Sequence, residues 1–180
     1  MFGLRMMMVV LVLGLAGCAP TRQVINLTPV IPADEAAATA DLSIALQVQD
    51  ERSDPLLGRR GDITLYTEQN VAQLLHNALV PAWAARRIQV VAGENPRTLT
   101  VLIKSLKLES ASGIWTAKAE LGSAAQNGSA QYKANYRMEK DKKGLLNPGP
   151  GEVERVLNEL LNDALLKLVN DAGLVAFLSK

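Results

Sequence analysis

Alternating apolar and polar positions along the chain predict a β-sheet. The stretch Leu42–Val48 alternates at a period of two, which indicates one half-buried strand. A longer stretch starts at Leu99 with the same period, but its apolar parity changes between Ile103 and Leu106. Such a change predicts a β-bulge near Lys104–Ser105, because an extra residue moves later side chains to the other face.

Further strands are predicted on both sides of a tight turn. Trp115–Leu121 and Ala130–Met138 alternate, and Asn127-Gly128 between them suits a two-residue hairpin, since both residues tolerate positive φ. The short apolar runs Ile63–Tyr66 and Ile88–Val91 are read as two more strands.

Two helices are predicted from apolar positions that recur every three or four residues. The first is expected to start after an N-cap at Thr67, to kink or split near Val80 because Pro81 removes a hydrogen bond, and to end near Arg86. The second carries one apolar stripe from Val153 onward and is expected to stop at Gly173, with the last residues docked as a final turn. The predicted fold is therefore α+β with two layers, a mainly antiparallel sheet with two helices packed on one face.

The first 17 residues have the layout of a secretory signal peptide. Arg5 precedes an unbroken apolar run that is followed by small residues, and the run is too short to cross a bilayer. The sequence "LAGC" ending at Cys18 resembles the bacterial lipobox, in which a signal peptidase cuts before a cysteine that receives acyl chains such as palmitate. The resemblance implies lipid attachment at Cys18, and Ala19 in place of an aspartate implies sorting to the outer membrane.

Residues 18–40 are predicted to be the lipidated cysteine and a proline-containing tether, and residues 41–180 a single domain. Val24–Val30 is apolar enough to add a short strand, so the tether is expected to be partly docked. Cleavage after residue 17 leaves 18 basic and 18 acidic side chains, so the acyl chains rather than net charge are expected to hold the protein at the membrane.

The composition argues against nucleic-acid binding and gives little support for catalysis. The formal charge is only +1, and the basic residues form no extended block. His76 is the only histidine, and a lipidated Cys18 leaves no free thiol, so we expect no metal, no cofactor and no catalytic residue. Tyr132, Tyr136 and Trp115 are interpreted as core residues rather than a binding surface, because they share parity with small apolar positions.

Three features resemble the YajG-type family of uncharacterised bacterial lipoproteins. They are Asp50-x-Arg52 with Gly58 after the first strand, the hairpin "AAQNGSAQYKANYR" (residues 124–137), and the carboxy-terminal helix "VERVLNELLNDALLKLVNDAGLVAFL" (residues 153–178). The resemblance supports the fold and an envelope location but implies no activity.

The residues therefore predict a lipid-anchored periplasmic binding or accessory protein of the outer membrane. It is expected to dock an envelope protein or peptidoglycan through loops or an open sheet edge. The alternative is a carrier of a small apolar ligand between helices and sheet. Asp50, Arg52 and Gly58 are the candidate partner site: Asp50 and Arg52 either form an exposed ion pair or fix the shape of the loop that follows the strand.

Overall fold

The computed structural model describes residues 21–32, 40–111, 114–143 and 149–180. These residues form eight strands and three helices. The strands are β1 (Arg22–Val24), β2 (Leu42–Asp50), β3 (Leu56–Arg60), β4 (Ile63–Tyr66), β5 (Ile88–Val91), β6 (Arg97–Ala111), β7 (Ile114–Asn127) and β8 (Ala130–Lys143). The helices are α1 (Val71–Ala85), α2 (Pro150–Val169) and α3 (Ala172–Leu178).

The long strand β6 organises the sheet. One edge of β6 pairs with β7, which pairs with β8, and both pairings are antiparallel. Two strands share the other edge of β6, and both run parallel to it. β2 pairs with Thr98–Ile103 of β6, and β3 pairs with β6 at Leu108. Strand β5 lies outside β2, while β4 and then β1 lie outside β3.

The prediction of a mainly antiparallel sheet is wrong. Among the described strands, four of the seven pairings are parallel. The parallel pairings all join strands that are not consecutive in the chain: β2 lies beside β5 and β6, β3 beside β6, and β1 beside β4. The α+β class itself is confirmed.

Three helices, rather than the predicted two, contribute to one hydrophobic core. α1 packs on β2 and β5, α2 packs on β7 and β8, and the short α3 packs on β7. The buried side chains of the described residues form a single aliphatic cluster. The opposite face of the sheet, called the outer face below, carries the polar residues that alternate with that core.

The helix boundaries differ from the predicted ones at three places. Asn70, not Thr67, caps α1 by accepting the backbone amide of Gln73, and α1 runs unbroken through Pro81. The single carboxy-terminal helix is two helices, since α2 ends at Val169 and Asp171 caps α3. Gly173 lies inside α3 instead of ending α2.

The strand predictions hold with two adjustments. The register of β6 against β7 shifts between Ile103 and Ser105, which confirms the predicted bulge. The β7–β8 turn lies one residue later than predicted, because Asn127 pairs with Ala130 and Gly128, at φ +58°, begins the turn. Strand β3 was not predicted at all.

Packing begins well before the predicted domain start at residue 41. β1 pairs with β4, and the side chains of Ile25 and Leu27 are fully buried in the core. Residues 25–30, called the strap below, then run along α2. The described part of the predicted tether is thus an integral part of the domain.

A ladder of side chains on α2 fixes the strap. The backbone amides of Asn26, Thr28 and Val30 donate to Glu154 Oε1 (2.9 Å), Asn158 Oδ1 (2.6 Å) and Asn162 Oδ1 (2.8 Å). Two residues of extended chain advance about 6.6 Å, and four helical residues advance about 6 Å. The two periods match, so every second strap amide meets every fourth α2 residue.

Candidate functional site

Asp50 and Arg52 lie together where β2 ends. Arg52 donates from Nε to Asp50 Oδ1 (2.8 Å) and from Nη2 to Asp50 Oδ2 (2.6 Å), and its backbone amide donates to Oδ1 (3.2 Å). The Arg52 side chain is only 8% exposed, whereas that of Asp50 is 30% exposed. Hydrogen bonds from Arg52 hold the pKa of Asp50 below its ordinary value, against the smaller opposing effect of burial. The pair is therefore more buried than an ordinary surface ion pair.

Gly58 has a separate task, since it allows β3 to approach β6. Its φ is +145°, and a Cβ at this position would lie 2.1 Å from the carbonyl oxygen of Leu108. Only glycine permits that approach. Among the described residues Asp50 accepts hydrogen bonds from Arg52 alone, so no hydrogen bond links the Asp50–Arg52 pair to Gly58.

The edge of β2 that leads to Asp50 is open. β5 pairs with β2 only over Leu42–Ala45, whereas β2 continues to Asp50 along β6. Leu46–Asp50, called the free edge below, therefore has one neighbouring strand among the described strands. Backbone groups alternate between the two sides of a strand, so half of those in the free edge point away from β6. Because Glu51 donates its amide to Ile103, the Val48 amide points outward.

A cleft of about 470 Å³ lies between the free edge, α1 and the end of β5. Its lining includes Leu46 and Gln47 from β2, His76 and Val80 from α1, and Val90 from β5. His76 Nδ1 is buried without a hydrogen-bond partner among the described residues. The cleft thus offers apolar walls, one unused imidazole nitrogen and the backbone groups of a strand edge.

A second cleft adjoins the first. It shares Ala45, Gln47 and Gly93 with it and extends along the loop Glu94–Pro96. Both clefts are open to solvent and include polar groups, which differs from the closed apolar cavity that a small-ligand carrier requires.

The aromatic residues of the hairpin belong to the core, as predicted. Trp115 and Tyr136 are buried, and Tyr132 packs against Phe177 with ring centroids 5.7 Å apart. The hydroxyl groups of Tyr136 and Tyr132 both donate to Asp171 Oδ2, at 2.7 and 3.0 Å. The other oxygen of Asp171 accepts the amides that begin α3.

This tyrosine–aspartate network sets the protonation of its members. Burial is the main cause that raises the pKa of Tyr136. The hydrogen bond with Ser123 lowers this pKa, and the neighbouring Asp171 carboxylate raises it further. Burial would raise the pKa of Asp171, but hydrogen bonds from Tyr136, Leu174 and Tyr132 hold it below its ordinary value. The sequence analysis missed Asp171, because one apolar stripe seemed to run through it.

The hairpin tip also receives the other end of α3. Asn127 Nδ2 donates to the carbonyl of Phe177 (3.3 Å), and Arg97 Nε donates to that of Leu178 (2.8 Å). The family-like hairpin thus binds both ends of α3. Its tyrosines bind Asp171 at the start of α3, and Asn127, together with Arg97 of β6, binds carbonyl groups at the end of α3. The hairpin's role in the described chain is to support the fold.

The glutamates of α2 link elements rather than form an acid–base pair. Glu152 binds Arg155 and Lys142 (2.7 Å each), and Glu159 binds Lys140 and Arg155. Arg155 and Lys142 lower the pKa of Glu152 to about 2. Together with the contact of Glu154 to the strap, these bonds join α2 to β8 and to the amino-terminal segment.

Cys18, the predicted lipid attachment site, lies outside the described residues. Within the described ranges, no helix is long and apolar enough to cross a membrane, and no three histidine, cysteine or acidic side chains are grouped for a metal ion.

Comparison with known proteins identifies a family. Residues 29–179 match the Lipoprotein_16 family model, described as an uncharacterized lipoprotein. No curated protein sequence matches the chain. Solved structures also match the chain, among them three that are 11–14% identical to it.

A Xanthomonas campestris protein of family DUF330 has a TM-score of 0.58 at 14% identity, over 83% of this chain and 93% of that one. An uncharacterized protein has a TM-score of 0.55 at 12% identity, over 85% and 99%. Rare lipoprotein B from Shewanella oneidensis has a TM-score of 0.45 at 11% identity, over 76% and 93%. The first two support the fold alone.

Proposed function

Because this chain belongs to the YajG-type family of uncharacterised lipoproteins and so has a membrane-anchored envelope location, we propose that it is an adaptor of the outer membrane. In this proposal Cys18 carries the acyl chains and the domain faces the periplasm. The domain docks an extended segment of another envelope protein along the free edge of β2. Ala19, which follows Cys18, supports the outer-membrane assignment.

The observation that carries the proposal is a free edge that has no charged side chain before Asp50 and lies beside an open cleft. Proteins commonly guard exposed edges with charged side chains, because unpaired backbone groups invite another strand. β8 follows that rule, with lysine, arginine and acidic residues along its length. β2 carries no charge before Asp50, and its exposed side chains there are Gln47 and Gln49.

Strand addition explains why these features occur together. An added strand gains affinity from main-chain hydrogen bonds and specificity from pockets that receive alternate side chains. The free edge supplies the main-chain hydrogen-bonding groups, and the cleft lined by Leu46, His76 and Val80 supplies a pocket for side chains of the added strand. The Asp50–Arg52 pair at the end of the edge fixes where pairing stops.

A photo-crosslinking residue at Gln47 tests the docking site in intact cells. We expect a peptide adduct at Gln47 and none at Gln131, which is equally exposed but lies on β8. Val48→Pro should remove the adduct, because it deletes the amide that points outward from the free edge; Val48→Thr, which keeps that amide, should retain it.

Two results would overturn the docking proposal. An adduct that persists in folded Val48→Pro would exclude strand addition. An adduct whose mass is lost on muramidase digestion would assign peptidoglycan, rather than a protein strand, to this surface.

Lipid attachment is tested by Cys18→Ser. We expect the variant to lose its acyl groups and to leave the membrane fraction, since the mature chain's balanced charge offers no electrostatic substitute. Intact-mass measurement and fractionation after a salt wash check both points. Full membrane retention of the variant would show that another element is the main anchor.

A further inference from the structure

The start of the described chain limits how far the domain can move from the membrane. Cys18 is four residues before Arg22, the first residue of β1. Four extended residues span at most about 14 Å. The 15-residue strand β6 is about 50 Å long. If Cys18 carries the acyl chains, as in the proposed function on which this inference rests, the domain is held by one corner close to the bilayer.

The strand register shows which side chains this corner presents. Arg59, Thr64 and Arg22 are paired across β3, β4 and β1, and directly paired residues share a face. Leu56, Tyr66 and Val24 form the next row of the same face. Leu65, between the two rows on β4, points into the core and is fully buried. Both rows therefore lie on the outer face; we call them the amino-terminal corner.

The chemistry of the amino-terminal corner suits a phospholipid surface. Arg22 and Arg59 are exposed, and Val24 is one of two large hydrophobic side chains that are exposed among the described residues. Tyr66 lies beside Val24, with its hydroxyl donating to Glu68 at 3.5 Å. Arginine binds phosphate well, and tyrosine with an aliphatic neighbour suits the boundary between headgroups and acyl chains.

We propose that the amino-terminal corner rests on the periplasmic leaflet, with Arg22 and Arg59 on lipid phosphates and Val24 at the acyl boundary. The acyl chains on Cys18 supply the attachment, and the corner sets the orientation. The acidic side chains nearby include Asp54, which accepts the Leu56 amide, Asp62 in the β3–β4 turn and Glu68, so the contact depends on the two arginines and not on net positive charge.

Position-specific fluorescence quenching tests the orientation. The acylated full chain is inserted into vesicles of phosphatidylethanolamine and phosphatidylglycerol that contain a headgroup-level quencher lipid. An environment-sensitive dye is attached at Val24→Cys or, as the matched control, at Gln131→Cys. Gln131 pairs with Gln126 of β7, which pairs with Thr98 near the start of β6. The corner lies at the level of Leu108, which is about 35 Å from Thr98 along β6.

We expect strong quenching and a blue shift at position 24 and neither at position 131. Equal quenching at both positions, or quenching at 131 alone, would overturn the inference while acylation stands. A chain whose mass shows no acyl groups would overturn the proposed function and this inference together. The intact mass thus separates the two failures.

The arginine contacts are tested by the double variant Arg22→Gln/Arg59→Gln. We expect the contact equilibrium at position 24 to weaken about fivefold per arginine on phosphatidylglycerol-containing vesicles. Lys133→Gln/Arg137→Gln removes the same charge from the outer face of β8 and should change nothing. Unchanged quenching in the arginine variant would mean that the short connection alone holds the corner, which would overturn the phosphate assignment.

Discussion

Arg52 shows how a single side chain at a strand end can be structural and still border an open strand edge. Its guanidinium donates hydrogen bonds from Nε and Nη2 to the Asp50 carboxylate. The third nitrogen, Nη1, is buried without a hydrogen-bond partner among the described residues. The pair is a local ion pair, but Arg52 is largely buried rather than exposed as the first predicted role requires. The second predicted role, fixing the shape of the loop that leaves β2, stays a prediction.

Arg52→Ala is expected to lower the free energy of unfolding by more than about 1 kcal/mol, because it removes charge-assisted bonds and buried side-chain packing. Arg52→Lys keeps the charge but loses the planar fork, so it should fall between alanine and wild type. Urea denaturation measures both. A loss within about 0.5 kcal/mol, as for an ordinary surface change, would contradict this role.

The tyrosine–aspartate network predicts how stability depends on pH. The pKa of Tyr136 is raised in the folded state, so its contribution is complete below about pH 10, the ordinary value, and is lost as the pH rises further. The pKa of Asp171 is lowered, so its contribution is present above its ordinary value of 3.8 and is lost as the pH falls.

Urea midpoints measured from about pH 9 to about pH 11 should therefore fall more steeply for wild type than for Tyr136→Phe. Tyr66→Phe, which leaves the network intact, should follow wild type. Parallel curves for wild type and Tyr136→Phe would show that the network does not control alkaline stability.

At the scale of elements, the sheet depends on one close approach between β3 and β6. Among the described residues, β3 pairs with β6 only at Gly58 and Leu108, and the register of β3 on β4 shifts at the same place. β3, β4 and β1 therefore join the rest of the sheet through a narrow contact that cannot accommodate a side chain.

Gly58→Ala should destabilise the protein by about 1–3 kcal/mol or more, because its Cβ would meet the Leu108 carbonyl and its φ disfavours other residues. Gly61→Ala is the matched control: its φ is +56°, but nothing lies within 4 Å of its Cβ. Gly61→Ala should lower the free energy of unfolding by only about 1–2 kcal/mol, through backbone strain alone. Equal losses in thermal melting would mean that the approach to Leu108 is not tight.

Particular elements show what the sequence could and could not predict. The bulge in β6 was predictable, since a change of parity is visible in one strand. Strand β3 was missed because "LLGRR" has no period of two, although Gly61-Asp62 directly after it is a two-residue hairpin signal that the β3–β4 turn uses. Parallel neighbours were also hidden, since they are strands far apart in the sequence and no local pattern shows which distant strands lie side by side.

The candidate site was predictable only in part. Asp50 and Arg52 were identified from their family-like spacing, and they do lie together. The free edge of β2 was invisible, because it exists only where β5 stops pairing at Ala45. A surface that forms because a neighbouring strand ends early leaves no pattern in the sequence of the strand that it exposes.

At the scale of the whole molecule, the strap closes the domain. Ile25 and Leu27 are fully buried, and Leu27 also exchanges hydrogen bonds with Gln69 just before α1. The amino-terminal segment is therefore bound both to α2 and to Gln69, the residue before the N-cap of α1.

A chain starting at residue 41 should be less stable than one starting at Thr21 by about 2–4 kcal/mol. Burial of each apolar side chain contributes about 1.5–3 kcal/mol, partly offset by the entropy of ordering the strap. Both chains lack Cys18, so denaturation in solution compares them directly. Equal midpoints would place the strap outside the folding unit.

The ladder between the strap and α2 has a consequence for the order of events during secretion. Thr28 and Asn158 are separated by 130 positions, so the strap cannot dock until α2 has been delivered. Contacts of such high sequence separation form late. If Cys18 is the lipid attachment site, as in the proposed function, we expect it to remain accessible during transit to the enzymes that acylate and cleave the chain.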